Sequence, residues 1–221
     1  MRFTEVATIL RALPVPLPPA PELLTPAAGV QAATLTAADP MPVDMASLAE
    51  EALRPSAVLV LVFPDEAGEA RVLLTARPEA DIRHPGQIAF PGGATDPGDR
   101  DSAATALREA VEEVGLDQRE AGVEVVGALD PVVIPVSGFR LVPVLALAAR
   151  RPALRPDPRE VRAIFDAPVE RFVPGAPIEL VERDLAAGLR IRYAAFDFEG
   201  HHIWGATARI LGQLGAVLAA P

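Results

Sequence analysis

The sequence feature that most constrains the fold is a continuous apolar run between Ala57 and Phe63. It reads Ala-Val-Leu-Val-Leu-Val-Phe, contains no polar residue and is rich in β-branched side chains. A run of this kind is typical of a strand that is buried on both faces of its sheet. Because half of the 221 residues are hydrophobic, the chain has enough apolar material for a substantial core. We therefore expect one large domain, or a domain with an extension.

Apolar segments elsewhere in the chain predict further strands and helices. The strands are expected at Arg71–Thr75, Gln87–Phe90, Val123–Leu129 and Leu141–Leu147, with a β pair formed by Ile178–Val181 and Ile191–Phe198. Helices are expected at Asp101–Val114, Pro158–Phe165 and Ile203–Leu218. Strands that surround one central helix, with another helix at the end, indicate an α/β sandwich.

The N-terminal part of the chain has a different composition. From Leu13 to about Pro42 it is rich in Pro and Ala and lacks periodicity, which indicates an irregular arm. A short helix from about Met45 to Leu53 is expected to follow. We therefore divide the chain into an N-terminal arm, residues 1–44, and a domain, residues 45–221.

Composition excludes several kinds of chemistry. The chain has no cysteine for a disulfide or a thiolate site, and no lysine for a Schiff base. Its formal net charge of −10 argues against nonspecific nucleic-acid binding. No secretory signal is visible, and the apolar runs are far shorter than the ~20 residues of a membrane span. We expect a soluble, cytoplasmic protein with a small-molecule partner and no nucleic-acid or membrane partner; a homodimer is left open.

The helix predicted at Asp101–Val114 separates apolar from acidic positions. Its carboxylates fall opposite the apolar face: Glu109, Glu112 and Glu113. Spacings of three and four residues make them neighbours, so they repel one another unless a cation joins them, and Mg²⁺ prefers such oxygen ligands. Arg108 can hold the carboxylate of Glu112. The alternative is a solvated acidic face, but a Pro-Gly-Gly loop precedes the helix, and Gly92 and Gly93 allow a close backbone approach to metal or phosphate.

Residues 108–116, Arg-Glu-Ala-Val-Glu-Glu-Val-Gly-Leu, are similar to the second half of the Nudix box, G-x5-E-x7-R-E-U-x-E-E-x-G-U, in which U is aliphatic. Counted from Gly93, the loop glutamate of the box falls on Asp99, and eight residues instead of seven separate it from Arg108. The loop glutamate is thus replaced by Asp99 or absent. The resemblance implies a Nudix-like α/β/α sandwich with a mixed sheet, a box that forms a loop-helix-loop, and hydrolysis of nucleoside diphosphates linked to another group.

A longer stretch resembles the coenzyme A diphosphatase branch of the Nudix family. The matching segments are Leu73–Arg77, Arg83–Gly93, Asp96 with Asp99, Thr105–Glu109, Ser137–Arg140 and Ile203–Leu211. This narrower resemblance implies hydrolysis of coenzyme A or its derivatives to 3′,5′-ADP and 4′-phosphopantetheine. Arginine forks bind phosphate groups well, and the candidates are Arg77, Arg83 and Arg140. For each of them a surface salt bridge is an equally good interpretation.

The expected mechanism is attack by a metal-activated water on one phosphorus atom. The expected catalytic residues are Arg108, Glu109, Glu112, Glu113 and Glu160, and the three box glutamates would bind Mg²⁺ or Mn²⁺. Either a box carboxylate or Glu160 would accept the proton of the water; a simple helix-start glutamate is an equally good interpretation of Glu160. The residues expected to bind substrate are Arg77, Arg83, Gly92, Gly93 and Arg140. Two alternatives stay open: another Nudix substrate, such as ADP-ribose or a nucleoside triphosphate, and a non-catalytic nucleotide-sensing module.

Overall fold

The computed structural model describes residues 1–25, 53–78, 86–134, 138–184 and 190–220. Its strands are β1 (Arg54–Pro64), β2 (Ala70–Ala76), β3 (Ile88–Ala89), β4 (Gly92–Ala94), β5 (Val123–Ala128), β6 (Val132–Ile134), β7 (Phe139–Ala148), β8 (Ala163–Pro168), β9 (Glu179–Asp184), β10 (Arg190–Phe198) and β11 (His201–Trp204). Its α-helices are α1 (Phe3–Arg11), α2 (Ser102–Val114), α3 (Gln118–Ala121) and α4 (Gly205–Leu218). Short 3-10 helices lie at Glu22–Leu24 and Val169–Phe172. None of the described helices is both long enough and apolar enough to cross a membrane.

Strand β1 is the centre of the main sheet and separates two apolar cores. Its side chains are buried from Ser56 to Phe63. Alternate side chains such as Leu59 contribute to the core beneath α2, and those between them, such as Val60, contribute to the core that α1 and α4 cover. β1 pairs in parallel with β7, whereas its pairing with β2 is antiparallel. The expected α/β fold with a mixed sheet is therefore confirmed, and so is the strand buried on both faces.

β1 and β2 separate along their length, and the glycine loop fills the gap between them. They pair only where Val62–Pro64 meets Ala70–Val72. Farther along, β4 pairs with β1 and β3 pairs with β2. Because β7 occupies the other edge of β1 and β8 the other edge of β2, β3 and β4 must lie between the two strands. The loop that joins β3 to β4 is thus built into the sheet.

Helix α2 begins and ends where the sequence predicts. The carboxylate of Asp101 accepts a hydrogen bond from the Ala104 N–H at 2.8 Å, which caps the first turn. Gly115 adopts a left-handed conformation with φ of 63° and ends the helix. Ala106, Ala110 and Val114 pack onto the main sheet, so the opposite face of α2 is directed toward the glycine loop and solvent.

Two predicted elements differ from the structure near the C-terminus. The helix expected at Pro158–Phe165 is wrong, because residues 158–160 form a turn and β8 begins at Ala163. The Arg162 N–H donates to the Ala76 carbonyl at 2.8 Å, and this bond draws the chain into the sheet beside β2. The last helix starts at Gly205 because the residues before it pair with β10 as β11. The pair expected from residues 178–181 and 191–198 is confirmed as β9 and β10.

A helix that was not predicted covers one side of the domain. The side chains of Val6, Ala7 and Leu10 in α1 are buried in the main core, and Arg11 forms an ion pair with Glu124 at 2.7 Å. The described part of the Pro-rich stretch lies on α4, because the Gln213 amide donates to the Pro18 carbonyl. The helix expected at 45–53 lies, apart from its last residue, outside the described residues. The division at residue 44 remains a prediction.

Candidate active site

The glycine loop lies directly against the acidic face of α2. A methyl group added at Gly93 would lie 2.5 Å from Oε1 of Glu109, so only glycine leaves room for that carboxylate. A methyl group at Gly92 would lie 2.6 Å from Cγ1 and 2.7 Å from Cα of Val58. The Gly92 N–H donates a hydrogen bond to the Glu113 carboxylate. Close packing against β1 therefore requires glycine at 92, glycine at 93 leaves the Glu109 carboxylate in place, and the loop holds two of the predicted catalytic carboxylates.

Arg108 connects the loop to the helix. Its Nε and Nη2 donate to the two carboxylate oxygens of Asp99 at 3.2 and 3.0 Å, and its Nη2 also donates to the Ala94 carbonyl at 3.1 Å. Nη1 donates to Glu109 at 2.9 Å and to Glu112 at 3.0 Å. The hydrogen bonds from Arg108 hold the pKa of Asp99 at about 2. Arg108 is thus a charged link between three carboxylates.

Asp99 has a role that the sequence left undecided. Its side chain is only 8% exposed, and it also accepts a hydrogen bond from the Asp96 N–H at 3.0 Å. In this chain the shorter aspartate, one residue farther from the arginine than the glutamate of the box, reaches the guanidinium group. The count from Gly93 was the signal that could have identified this pairing.

Glu113 carries the largest electrostatic perturbation of the site. The residue is 7% exposed, and burial raises the pKa of its carboxyl to about 8, with further contributions from the charges of Glu109 and Glu160. The Gly92 hydrogen bond and the charge of Arg77 act in the opposite direction. Burial also raises the pKa of Glu109, and Arg108 opposes that increase. Ionisation of both carboxyl groups side by side is therefore unfavourable in the metal-free protein.

Glu160 reaches the site although it is far from α2 in the sequence. The Asp157 N–H donates to the main-chain carbonyl of Glu113 at 2.8 Å, and the Glu160 N–H donates to the Asp157 carbonyl at 3.0 Å. These bonds attach the turn at 158–160 to the end of α2. The charge of Glu160 accordingly raises the pKa of both Glu109 and Glu113. The predicted candidate is on a turn instead of a helix, and it lies within electrostatic reach of the box.

The three box glutamates are not gathered around one point. The side chain of Glu112 is 57% exposed and bound to Arg108, whereas Glu113 is nearly buried. Across the described residues, no group of three His, Asp or Glu side chains is arranged so that it could hold a metal ion. Mg²⁺ in nucleotide sites usually takes one or two carboxylates together with waters and phosphates. The neighbouring carboxylates of the half-buried Glu109 and the buried Glu113 are hard oxygen donors and fit such an ion.

The predicted substrate-binding arginines have different positions. Arg77 is exposed at the end of β2, and its charge acts on Glu113. Arg140 lies at the start of β7, where its carbonyl accepts a hydrogen bond from the Ser56 hydroxyl at 3.2 Å; Ser56 pairs with Ala94 of the glycine loop. Arg83 lies outside the described residues. The structure therefore brings Arg77 to the carboxylates and places Arg140 on a strand at the same end of the sheet.

Comparisons with known proteins give a consistent assignment. The NUDIX domain profile matches residues 53–182. Nudix hydrolase 15, mitochondrial, of Arabidopsis thaliana is 36% identical over 169 residues, which are 73% of this chain and 58% of that protein. This chain thus spans less than two thirds of the length of that relative.

A bacterial relative agrees with this match. The uncharacterized Nudix hydrolase NudL of Pectobacterium atrosepticum is 36% identical over 165 residues, covering 73% of this chain and 81% of that protein. A crystal structure of the M. smegmatis Nudix hydrolase RenU has 26% identity and a TM-score of 0.45, covering 53% of this chain and 72% of that chain. On the profile match and the 36% identity to these two Nudix hydrolases, the chain belongs to the Nudix domain family.

Proposed function

We propose that this chain hydrolyses the diphosphate linkage of coenzyme A or its derivatives, with Mg²⁺ or Mn²⁺ as the metal and 3′,5′-ADP and 4′-phosphopantetheine as products. One observation carries the hydrolase part of the proposal. Glu113 is nearly buried beneath Gly92, faces the charges of Glu109 and Glu160, and has a pKa of about 8 for that reason. A carboxyl group so perturbed, beside a glycine loop, is a strong candidate for a functional group.

Two neighbouring carboxyl groups whose ionisation is unfavourable without a counter-charge are suited to a divalent cation. Glu109 and Glu113 would hold the ion, whereas Glu112, also predicted as a ligand, is bound by Arg108 on the exposed side of the helix. A bound ion would lower the pKa of a water molecule and neutralise charge on the phosphate oxygens. Arg108 fixes the Glu109 carboxylate through a 2.9 Å hydrogen bond, and the glycine loop keeps that carboxylate close to the backbone.

A carboxylate must accept the proton of the attacking water. Glu160 is suited to this role because it is exposed on a turn and its charge reaches both Glu109 and Glu113. A box carboxylate is the alternative acceptor. The two assignments differ in one measurable respect: only in the first does Glu160→Gln reduce kcat strongly while leaving the affinity for metal nearly unchanged.

The choice of coenzyme A depends on the segments around β2 and β3. They resemble the coenzyme A diphosphatase branch, and one of them brings the cationic Arg77 to the carboxylates. An arginine fork can bind the 3′-phosphate for ~1.5–3 kcal/mol, which corresponds to roughly tenfold to a hundredfold in kcat/KM. Coenzyme A should therefore be cleaved better than dephospho-coenzyme A, and ADP-ribose should be a poor substrate.

The test is a product-resolved screen with Mg²⁺ and with Mn²⁺. Coenzyme A, dephospho-coenzyme A, ADP-ribose and a nucleoside triphosphate are compared by kcat/KM, with the products identified by mass. Glu113→Gln should lower turnover by several orders of magnitude, whereas Glu66→Gln, on the exposed β1–β2 turn, serves as the matched control. Arg77→Ala should narrow the difference between the first two compounds if Arg77 contacts the 3′-phosphate.

Two results would contradict different parts of the proposal. Efficient cleavage of ADP-ribose without release of 4′-phosphopantetheine from coenzyme A would refute the substrate and leave the hydrolase. Tight nucleotide binding without turnover of any compound would refute the hydrolase and favour a sensing module.

A further inference from the structure

The hydroxyl group of Thr207, in the first turn of α4, contacts the strand that leads into the glycine loop. Its Oγ1 donates to the Ile88 carbonyl at 3.1 Å, and the residue is 8% exposed. We propose that Thr207 is a positioning residue that fixes the glycine loop beneath the carboxylates. The inference rests on the proposed function only in its catalytic consequence; the positioning itself is a property of the fold.

The register of β3 explains why this hydroxyl is needed. The Arg77 N–H donates to the Gln87 carbonyl, and Ala89 is paired with Thr75, so the carbonyls of Gln87 and Ala89 face β2. Peptide groups alternate in direction along a strand. The Ile88 carbonyl therefore points away from β2, and Thr207 supplies its donor.

Strand β3 contains two residues, so few main-chain hydrogen bonds fix its position. From the β2 side, the Thr75 hydroxyl donates to the Ala89 carbonyl at 3.3 Å. Two threonine hydroxyls thus hold β3 from opposite directions. A buried carbonyl without a donor is destabilised because it loses its water without replacement, so removal of the Thr207 hydroxyl favours a shift of β3 toward another donor.

A shift of β3 would be transmitted directly to the site. After Ile88 the chain passes the buried Phe90 and then Pro91, whose carbonyl accepts the Leu59 N–H at 2.8 Å. The next residue is Gly92, whose N–H donates to Glu113. Only a few residues therefore separate the Thr207 hydrogen bond from the bond that holds the catalytic carboxylate.

The approach of α4 to β3 is set by a sharp change of direction. β11 ends at Trp204, and Gly205 has φ of 63°, a conformation that favours glycine although an added methyl group would meet nothing within 4 Å. This turn starts α4 at once, so that Thr207 is in its first turn. The segment from Ile203 to Leu211 thus acquires a role that the box does not supply.

The experiment compares three variants of the full chain. Thr207→Val removes the hydroxyl at nearly constant volume, and Thr207→Ser keeps it. Gln213→Leu is the matched control, since Gln213 is a buried polar residue of the same helix that bonds Asp130 and Pro18 instead of β3. The readouts are amide hydrogen exchange at Gly92 and Gly93 in metal-free protein, Mn²⁺ affinity by electron paramagnetic resonance, and kcat and KM for coenzyme A.

In Thr207→Val, exchange at the two glycines should accelerate about tenfold, the effect of losing one hydrogen bond. Mn²⁺ should bind more weakly, and kcat should fall roughly tenfold to a hundredfold with little change in KM, as for a ~1 Å displacement at a reactive centre. Thr207→Ser, which keeps the hydroxyl, should leave glycine exchange, Mn²⁺ affinity and kcat near their wild-type values. Gln213→Leu should leave exchange at the two glycines unchanged.

Equal acceleration in Thr207→Val and Gln213→Leu would overturn the proposal, because the hydroxyl would then only stabilise α4. Accelerated exchange at the two glycines in Thr207→Ser would overturn the proposal as well. If the wild-type chain cleaves none of the compounds, the proposed function fails, and the exchange comparison still decides whether Thr207 positions the loop.

Discussion

Replacement of Gly93 by alanine tests the site through one methyl group. Gly93 does not have a positive φ, so the backbone accepts alanine. The new Cβ would lie 2.5 Å from Oε1, 2.6 Å from Cδ and 2.8 Å from Oε2 of Glu109. Ordinary contacts are ~3.5–4.0 Å, so the carboxylate must move by about 1 Å. The end of a flexible side chain can do so without unfolding the domain.

The displaced carboxylate would lose its 2.9 Å hydrogen bond from Arg108 and its place beside the loop. A misplacement of ~1 Å costs about a hundredfold in rate, and we expect this loss in kcat/KM for coenzyme A with Mg²⁺. The melting temperature of the metal-free variant should change little. Gly98→Ala is the control, because a methyl group there meets open space. Comparable activity of the two variants would refute the placement of Glu109 in the site.

Three further predictions concern the core and the acidic cluster. Leu10→Ala in α1 should lower the free energy of unfolding by ~2–5 kcal/mol, measured by denaturant titration, because Leu10 has no exposed surface; an unchanged midpoint would mean that α1 does not belong to the core. The folded-state pKa of Glu113 is raised from 4.5 to about 8, so metal-free protein should lose stability as pH rises through this window. Glu113→Gln should flatten that dependence, and an equally steep curve in the variant would rule Glu113 out as its source. Glu160→Gln should lower the pKa of Glu113, measured by NMR titration of metal-free protein, since it removes a neighbouring negative charge. An unchanged pKa would mean that Glu160 does not lie within electrostatic reach of Glu113.

Local signals in the sequence were sufficient for the helix that carries the box. The spacing of its apolar residues and the glycine at 115 are short-range features, and the structure has both, together with a cap at Asp101 that was not predicted. The same kind of signal is present in α1, where Phe3, Val6, Ala7 and Leu10 have helical spacing, although no helix was predicted there.

The remaining features depend on long-range contacts that no local pattern reports. Val161, Ile164 and Phe165 have spacings of three and four residues, which fit a helix, yet the bond from Arg162 to Ala76 places the segment in a strand. The proximity of Glu160 to the box depends on the hydrogen bond from the Asp157 N–H to the Glu113 carbonyl, and these two residues are 44 positions apart in the sequence. Likewise, the Glu112 side chain is exposed because its carboxylate is paired with the guanidinium group of Arg108.

The hydrogen bond from the Arg77 N–H to the Gln87 carbonyl has a consequence for how this domain could be redesigned. It closes the base of the connection between β2 and β3, so the segment between these two residues begins and ends at fixed points. Additional length in a closed loop costs little free energy, since the entropy of closure grows only slowly with loop length. This segment, which includes Arg83, could therefore be exchanged for that of a relative while β3, the glycine loop and the carboxylates of α2 keep their positions. If the proposed function holds and this segment binds substrate, recognition and cleavage of the diphosphate would be separately exchangeable within one domain.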